Sequence, residues 1–195
     1  MPSSRTQGEL FAPVTALPEG FSYREEYVSA EMERGLLQEI GRLHLPEARY
    51  REWTAKRRTL TFGGHYDFTA RQLLPADPIP DFLLPLRRQL AQWAGMEDAL
   101  FTHGNISEYR AGTQLGWHRD APDFEVVIGA SLGGEARMRF RPYPPEAELA
   151  RATTAIELQP RSAYIIRDAA RWNWQHAISP TKELRYSITF RTLRK

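Results

Sequence analysis

The feature that most constrains the fold of this chain is a strict alternation of apolar and polar residues near its C-terminus. From Leu184 to Arg191 every second side chain is apolar, and the positions between are polar. Because successive side chains of a β-strand point to opposite faces, the pattern predicts a strand over 184–192 with one packed face. The other face meets either solvent or an internal pocket. Its members are Arg185, Ser187, Thr189 and Arg191.

Six further runs of strand-forming residues lie between positions 101 and 167, and Gly and Pro separate them. They are Phe101–Tyr109, Leu115–Asp120, Val126–Leu132, Arg137–Phe140, Ala155–Leu158 and Ser162–Arg167. Short strands bounded by turn residues at this spacing are typical of an antiparallel β-sandwich or jelly roll. The C-terminal half of the chain is therefore predicted to be mainly β.

Two amphipathic helices are predicted in the N-terminal half. Ser29 is the expected N-cap of the first helix. Asp81 is the expected N-cap of the second helix, which should end at Gly95. Between the helices, residues 48–71 have the pattern of a strand hairpin.

This hairpin-like segment is basic and aromatic. It holds six basic and two acidic side chains together with five aromatic ones, so its net charge is +4. Basic residues interleaved with aromatic residues suit a nucleic-acid surface. An ordinary pair of strands with a charged face has the same composition, and composition alone leaves both interpretations open.

The use of cysteine, arginine and lysine limits the chemistry. The 195 residues include no cysteine, which excludes disulfides, thiolate zinc sites, iron–sulfur clusters and cysteine nucleophiles. The 26 basic residues comprise 23 Arg and 3 Lys. Arginine is the preferred partner of carboxylates and phosphates, although a GC-rich genome produces the same bias. There is no signal-peptide pattern and no apolar run that could span a membrane, so we expect a cytoplasmic protein that is not in the membrane.

Three residues have the chemistry of an iron site. His118 and Asp120 are two positions apart in a predicted strand, so their side chains point to the same face. His176 lies nine residues before Arg185. Two histidines and one carboxylate form the facial triad of non-haem Fe(II) oxygenases, which leaves coordination positions open.

A family resemblance supports this hypothesis. The segment 109–120, YRAGTQLGWHRD, resembles the iron-binding segment of AlkB-type, Fe(II)- and 2-oxoglutarate-dependent dioxygenases. Residues 131–133 and the segment from Arg185 to Arg191 resemble two further strands of that family, in the same order. The resemblance implies an α+β, mainly β fold: a double-stranded β-helix (jelly roll) with N-terminal helices and a hairpin-like substrate lid. We expect a single domain, 1–195, with the extension, helices and lid in 1–100 and the catalytic core in 101–195.

The resemblance also implies roles for individual residues. His118, Asp120 and His176 would hold Fe(II), and O2 would react there. A second set would bind 2-oxoglutarate, with Arg185 at its distal carboxylate and Arg191 at its proximal end. That set is Tyr109, Arg185, Ser187, Arg191 and Ser107. Ser107 stands where many members have Asn, and Pro122 stands where base-repair members often have an acidic residue.

The implied reaction is oxidative demethylation of N-alkylated bases in DNA or RNA, with release of formaldehyde, succinate and CO2. In the lid, Trp53 and Tyr66 are candidates for base stacking, and Arg57 and Arg58 are candidates for phosphate contacts. We expect alkylated single-stranded DNA or RNA as the partner of a monomeric enzyme. Two alternatives stay open: the same chemistry on a protein or small molecule, and a non-enzymatic jelly-roll binding module.

Overall fold

Two antiparallel β-sheets facing each other form the framework of the protein. A computed structural model describes residues 16–50, 53–67, 72–145 and 153–194. The strands are β1 (Phe21–Arg24), β2 (Glu47–Tyr50), β3 (Trp53–Phe62), β4 (His65–Asp67), β5 (Gln72–Leu74), β6 (Phe101–Tyr109), β7 (Leu115–His118), β8 (Phe124–Gly133), β9 (Ala136–Pro142), β10 (Thr154–Leu158), β11 (Ser162–Ile166), β12 (Trp174–Ile178) and β13 (Arg185–Leu193). The helices are α1 (Ala30–Ile40), α2 (Leu84–Ala94) and α3 (Asp168–Trp172). The predicted fold class, a mainly β jelly roll with a few helices, is confirmed.

The alternating C-terminal strand, β13, lies at the centre of the larger sheet. The strand order of that seven-stranded sheet is β1-β11-β8-β13-β6-β3-β2. The apolar face of β13, including the fully buried Ile188 and Phe190, packs against α1 and α2. Its polar face, from Arg185 to Arg191, lines a pocket between the sheets. Of the two environments left open for the polar face, the fold therefore uses the internal pocket.

The smaller sheet covers that pocket. Its four strands have the order β10-β9-β12-β7, and β4 and β5 form a separate two-stranded ladder. Apolar side chains from the inner faces of both sheets, among them Phe140, Ile178, Tyr164 and Ile166, make a second core beside the pocket. Packed side chains of both sheets thus form the wall beside the pocket.

The two predicted helices are present on the outer face of the larger sheet. Ser29 caps α1, and its side chain accepts a hydrogen bond from the backbone N–H of Met32 at 3.1 Å. Gly95 ends α2 in the left-handed conformation, as expected for a C-cap. The expected N-cap role of Asp81 is wrong. Asp81–Leu83 forms a 3-10 turn with no side-chain cap, and Pro85 enters α2 in its first turn.

All seven predicted strands are found, with ends shifted by at most two residues. The strand β12 was not predicted, because its five residues include Gln and Ala and show little of the β-branched composition of a strand. The strands β1, β2 and β3 join the larger sheet, so the first hundred residues supply three of its seven strands. None of the helices within the described ranges is long and apolar enough to cross a membrane.

Candidate active site

The three predicted iron ligands converge at one end of the pocket. In the pairing of β12 with β7, His176 lies directly opposite His118, and the centroids of the two rings are 4.2 Å apart. Asp120 lies two residues beyond the end of β7. The potential ligand atoms of these three residues all lie within 4.8 Å of one another. A single divalent cation can therefore contact all three side chains.

Hydrogen bonds prepare these side chains for metal binding. His118 Nδ1 is 2.9 Å from the backbone carbonyl oxygen of Gly116. Because a carbonyl oxygen can only accept a hydrogen bond, Nδ1 carries the hydrogen. The lone pair is then on Nε2, the nitrogen available to a metal. His176 Nε2 lies 3.9 Å from Asp120 Oδ2. An imidazole whose other nitrogen donates to a carbonyl is the usual arrangement of a metal-binding histidine.

Arg191 controls the carboxylate of this triad. Its Nε donates to Asp120 Oδ1 at 2.7 Å, and its Nη1 donates to Thr189 Oγ1 at 2.9 Å. Burial acts to raise the pKa of Asp120, but the opposing charge of Arg191, helped by the neighbouring imidazoles, holds that pKa well below its usual value. Asp120 is therefore ionised at neutral pH, as a metal ligand must be. The family role of Arg191, at the proximal carboxylate of the co-substrate, stays a prediction.

The two histidines are neutral for a related reason. The pKa of His176 is lowered to about 3, mainly by burial and also by the adjacent His118, against the attraction of Asp120. Burial also lowers the pKa of His118. Neutral imidazole is the form that binds metals. Two nitrogen ligands and one carboxylate fit Fe(II), with coordination positions left for other molecules.

Arg171, a residue that sequence reasoning missed, holds the turn that carries Asp120. It is 2 % exposed, and its Nη2 donates to the carbonyls of Ala121 at 2.6 Å and Phe124 at 2.8 Å. The same nitrogen is 3.2 Å from the carbonyl of Asp120. No local signal in the sequence marks this residue, because its partners lie about fifty positions earlier in the chain.

The opposite end of the pocket holds a buried guanidinium with free donors. Arg185 is 1 % exposed; its Nε donates to Ser131 Oγ at 2.8 Å, and its carbon Cζ lies 4.9 Å from the centre of the Tyr109 ring. Both terminal nitrogens of Arg185 are buried and have no hydrogen-bond partner among the described residues. A buried, unpaired guanidinium is costly unless an anion completes it. The distal carboxylate of 2-oxoglutarate, which can accept both hydrogen bonds at once, fits this position.

Hydroxyl groups cross the larger sheet between these two ends. The pairing of four neighbouring strands brings four serines opposite one another. They are Ser107 on β6, Ser187 on β13, Ser131 on β8 and Ser162 on β11. Beside them, Tyr164 Oη is 3.4 Å from Ser187 Oγ, and Ser107 Oγ donates to Asn105 Oδ1 at 2.8 Å. Sequence analysis singled out Ser107 and Ser187 but missed Ser131, Tyr164 and Asn105. Ser131 was within a matched family segment and could have been found from that signal.

The four predicted substrate residues take different positions. Arg57 lines the pocket, and its buried Nε has no hydrogen-bond partner among the described residues. Arg58 points to the other face of β3, where its Nε donates to the carbonyl of Leu45 at 2.7 Å and its Nη1 to Glu108 Oε1 at 3.2 Å. Trp53 and Tyr66 lie on β3 and β4, and their side chains fall outside the described part of the chain.

Comparison with known proteins identifies the family. The model of the 2OG-Fe(II) oxygenase superfamily matches residues 22–191, which include the whole triad and both pocket arginines of β13. The chain belongs to this superfamily. It is therefore a dioxygenase that uses Fe(II), 2-oxoglutarate and O2, and the non-enzymatic alternative is excluded. An uncharacterized protein of Acanthamoeba polyphaga mimivirus is 31% identical over 195 residues, covering 90% of this chain and 86% of that protein.

Solved structures share the fold of this 2OG-Fe(II) oxygenase. OsALKBH1 has a TM-score of 0.66 and 15% identity, covering 92% of this chain and 100% of that one. A Pseudomonas putida prolyl-4-hydroxylase has a TM-score of 0.62 and 16% identity, covering 90% of this chain and 93% of that one. These likenesses support the AlkB-like fold. Because the same fold holds an AlkB homologue and a prolyl hydroxylase, substrate class has to be argued from this chain's own residues.

Proposed function

We propose that this dioxygenase removes methyl groups from N-methylated bases of single-stranded DNA or RNA. The observation that carries the proposal is a set of arginine–aromatic stacks around β7, the strand that bears His118. Guanidinium groups held flat on aromatic rings are suited to phosphate contacts and to stacking on bases. A site for a small uncharged metabolite would not need such a surface outside the pocket.

The first stack lies beside the iron ligands. Arg119 stands between His118 and Asp120 in the sequence, and its guanidinium carbon is 3.6 Å from the centre of the Tyr143 ring. Its Nη1 donates to the carbonyl of Trp172 at 2.9 Å, which holds the group in place. Tyr143 is exposed. A strand of nucleic acid that inserts one base into the pocket would pass next to this pair.

The second stack lies on the outer face of the smaller sheet. The Trp117 ring has Arg139 at 4.9 Å and Arg141 at 4.7 Å from its centre. Arg141 Nε donates to Gln175 Oε1 at 2.8 Å, whereas Arg139 Nε has no partner among the described residues. We infer that this Trp117 stack contacts the phosphate backbone on either side of the inserted base. The lid residues Trp53 and Tyr66 remain our candidates for base stacking.

The residues of the site have defined tasks in this reaction. When bound, Fe(II), 2-oxoglutarate and O2 supply an oxidation in which one oxygen atom enters succinate with loss of CO2 and the other hydroxylates the N-methyl carbon. The resulting N-hydroxymethyl base loses formaldehyde and regains its N–H. Arg185 would anchor the co-substrate, and Arg191 keeps Asp120 ionised and oriented. Apolar side chains of the pocket wall, including Val127, limit the access of water.

An assay with matched substrates tests the proposal. Formaldehyde and succinate release are measured with single-stranded DNA and RNA carrying one methylated base, with the unmethylated oligonucleotides, and with methylated and proline-containing peptides. We expect formaldehyde only from a methylated oligonucleotide, in equal amount to succinate. Succinate release with a peptide, with or without formaldehyde, and neither product with any oligonucleotide would assign the enzyme to protein substrates.

The salt dependence of binding tests the Trp117 stack separately. A double substitution, Arg139→Gln with Arg141→Gln, should reduce the slope of log affinity against log salt by about 1.4, since each lost contact to single-stranded nucleic acid removes about 0.7. Arg42→Gln is the matched control, because the Arg42 side chain, just beyond the end of α1, is 62% exposed and pairs locally with Glu39. An unchanged slope in the double variant would remove this stack from the interface.

A further inference from the structure

We propose that Arg57 makes the pocket selective for neutral methylated bases that carry a carbonyl oxygen beside the methylated nitrogen, and against cationic methylated bases. N3-methylthymine, N3-methyluracil and N1-methylguanine belong to the first class. N1-methyladenine and N3-methylcytosine belong to the second, because methylation of those nitrogens leaves the base with a positive charge at neutral pH. The inference rests on the proposed function and narrows its substrate.

The position of Arg57 is set by the strand that carries it. In the pairing of β3 with β6, Arg58 lies opposite Glu108 and bonds to it on the outer face. Alternation along the strand then turns Arg57 to the inner face, where it lines the same pocket as Tyr109 and His118. Arg57 is half-buried, so it borders the pocket without being sealed within it.

The bonding state of Arg57 calls for an acceptor from outside the protein. Its Nε is buried and has no hydrogen-bond partner among the described residues. The one acidic side chain among the described pocket residues is Asp120, and that carboxylate is already bonded to Arg191. A buried donor without an acceptor is costly, and a carbonyl oxygen of an inserted base would satisfy it.

The charge of the pocket leads to the same conclusion. Its described lining holds three arginines, Arg57, Arg185 and Arg191, against the single carboxylate of Asp120. Binding of a divalent cation together with the 2-oxoglutarate dianion does not change this excess of positive charge. A cationic base in the pocket would be repelled by this excess of positive charge, and such repulsion is strong in a partly buried site. The Arg57 charge is near enough to His118 to contribute to the lowering of its pKa.

The other buried arginines do not serve this purpose. Arg185 is fully buried, with its Nε bonded to Ser131, and its free nitrogens face the co-substrate end. Arg191 is occupied by Asp120 and Thr189. Arg57 alone among these three arginines comes from β3, a strand of the predicted lid, which is the part of the chain expected to contact a substrate base.

The sharpest test compares two bases of nearly equal shape. N3-methylthymine and N3-methylcytosine are placed in the same single-stranded oligonucleotide, where they differ in charge, in a carbonyl against an amino group at C4, and in the C5 methyl group that only thymine carries. Binding to the Mn(II)- and 2-oxoglutarate-loaded protein and formaldehyde release by the Fe(II) enzyme are both measured. We expect the thymine substrate to be preferred by about tenfold or more in each measurement.

Variants of β3 assign the preference to Arg57. Arg57→Gln, which keeps donors but removes the charge, should reduce the ratio, and Arg57→Glu should reverse it in favour of N3-methylcytosine. Lys56→Gln, an exposed neighbour on the same strand, is the matched control and should leave the ratio unchanged. The affinity for 2-oxoglutarate, measured in parallel, should stay within about twofold in Arg57→Gln, a change of under 0.5 kcal/mol.

The outcomes separate this inference from the proposed function. The selectivity assigned to Arg57 is overturned if the wild-type enzyme demethylates the two bases equally well, or if Arg57→Glu does not change the ratio of their rates. Base demethylation itself stands in either case. A large loss of 2-oxoglutarate affinity in Arg57→Gln makes Arg57 a co-substrate residue and overturns the inference as well. If no formaldehyde is released from these bases or from any other methylated oligonucleotide, the proposed function is overturned and the inference with it.

Discussion

The two ends of the polar face of β13 present the same residue type in opposite states. Arg191, at one end, is bonded within the protein to Asp120 and Thr189. Arg185, at the other end, bonds to Ser131 through Nε and leaves both terminal nitrogens without a described partner. The two lie six positions apart, about 20 Å at the rise of an extended strand.

The difference teaches which part of the site the folded chain completes by itself. At the Arg191 end, Nε and Nη1 are both bonded within the protein, so this guanidinium supports the candidate metal ligand Asp120 whether or not a co-substrate is present. The Arg185 end is complete only with a bound anion, so it should respond to 2-oxoglutarate and hardly to metal. Substitutions at the two ends should therefore separate the metal response from the co-substrate response.

The largest effect should come from loss of a metal ligand. His118→Ala removes one of the two imidazole nitrogens, and we expect Mn(II) affinity to fall by more than about 100-fold, beyond the effect typical of outer-sphere partners. Turnover of 2-oxoglutarate to succinate should be lost, while circular dichroism and Tm in the absence of metal stay close to wild type. Gln114→Ala, an exposed residue just before β7, is the control. Undiminished succinate production would remove His118 from the metal site.

A smaller and more selective effect is expected at the co-substrate end. Arg185→Gln removes a charge-assisted pair of hydrogen bonds, which should raise the Kd of 2-oxoglutarate by about 10–100-fold. The Kd of Mn(II), measured without co-substrate, should change by less than about twofold. Equal losses of both affinities would mean that the two ends of β13 are not independent.

The opposite selectivity is expected at the metal end. Arg191→Gln removes the ion pair that orients Asp120 and keeps its pKa low, so Mn(II) affinity should fall by about 10-fold, within the range for partners of metal ligands. The loss should deepen as pH falls, because without Arg191 the pKa of Asp120 rises and protons compete with the metal at higher pH. Titration of Mn(II) at several pH values measures this. If only the affinity for 2-oxoglutarate fell, Arg191 would act at the proximal carboxylate of the co-substrate, as in the family, and not as the partner that orients Asp120.

The smallest effect is thermal. At ligand concentrations about 100-fold above Kd, Mn(II) and 2-oxoglutarate should each stabilise the fold by about 2.7 kcal/mol, or roughly 5–10 °C in Tm per ligand for a chain of this size. In Arg185→Gln, at the same ligand concentrations, the 10–100-fold rise in Kd should reduce the increment from 2-oxoglutarate to about 0.4–1.4 kcal/mol, while the increment from Mn(II) should remain. Differential scanning fluorimetry with each ligand alone and both together resolves the two parts. A 2-oxoglutarate increment as large in Arg185→Gln as in the wild type would place the co-substrate elsewhere.

The contrast within β13 also shows what a local sequence pattern can and cannot predict. Alternation correctly predicted that Arg185 and Arg191 share a face, because side-chain direction in a strand depends only on position along it. It did not reveal that Arg191 would bond to Asp120, a residue 71 positions away whose approach depends on the packing of two sheets. The strand β12 was missed for a similar reason, since its pairing with β7 and β9 supplies the stability that its own composition does not.

The same limit applies to Arg57 and Arg58. The sequence places them on opposite faces of a strand and cannot say which face is inner. That choice follows from the pairing of β3 with β6, which puts Arg58 opposite Glu108 and turns Arg57 into the pocket.

The sequence by itself indicated the chemistry of the site. It showed two histidines and one carboxylate suited to a metal, and two arginines that share the polar face of one strand, in a chain with no cysteine. These depend on residue type and short spacing, which act locally. Only the tertiary structure decided which donors are left free and which are paired. A hydrogen bond depends on distances between strands that are far apart in the chain, and no periodicity in the sequence encodes those distances.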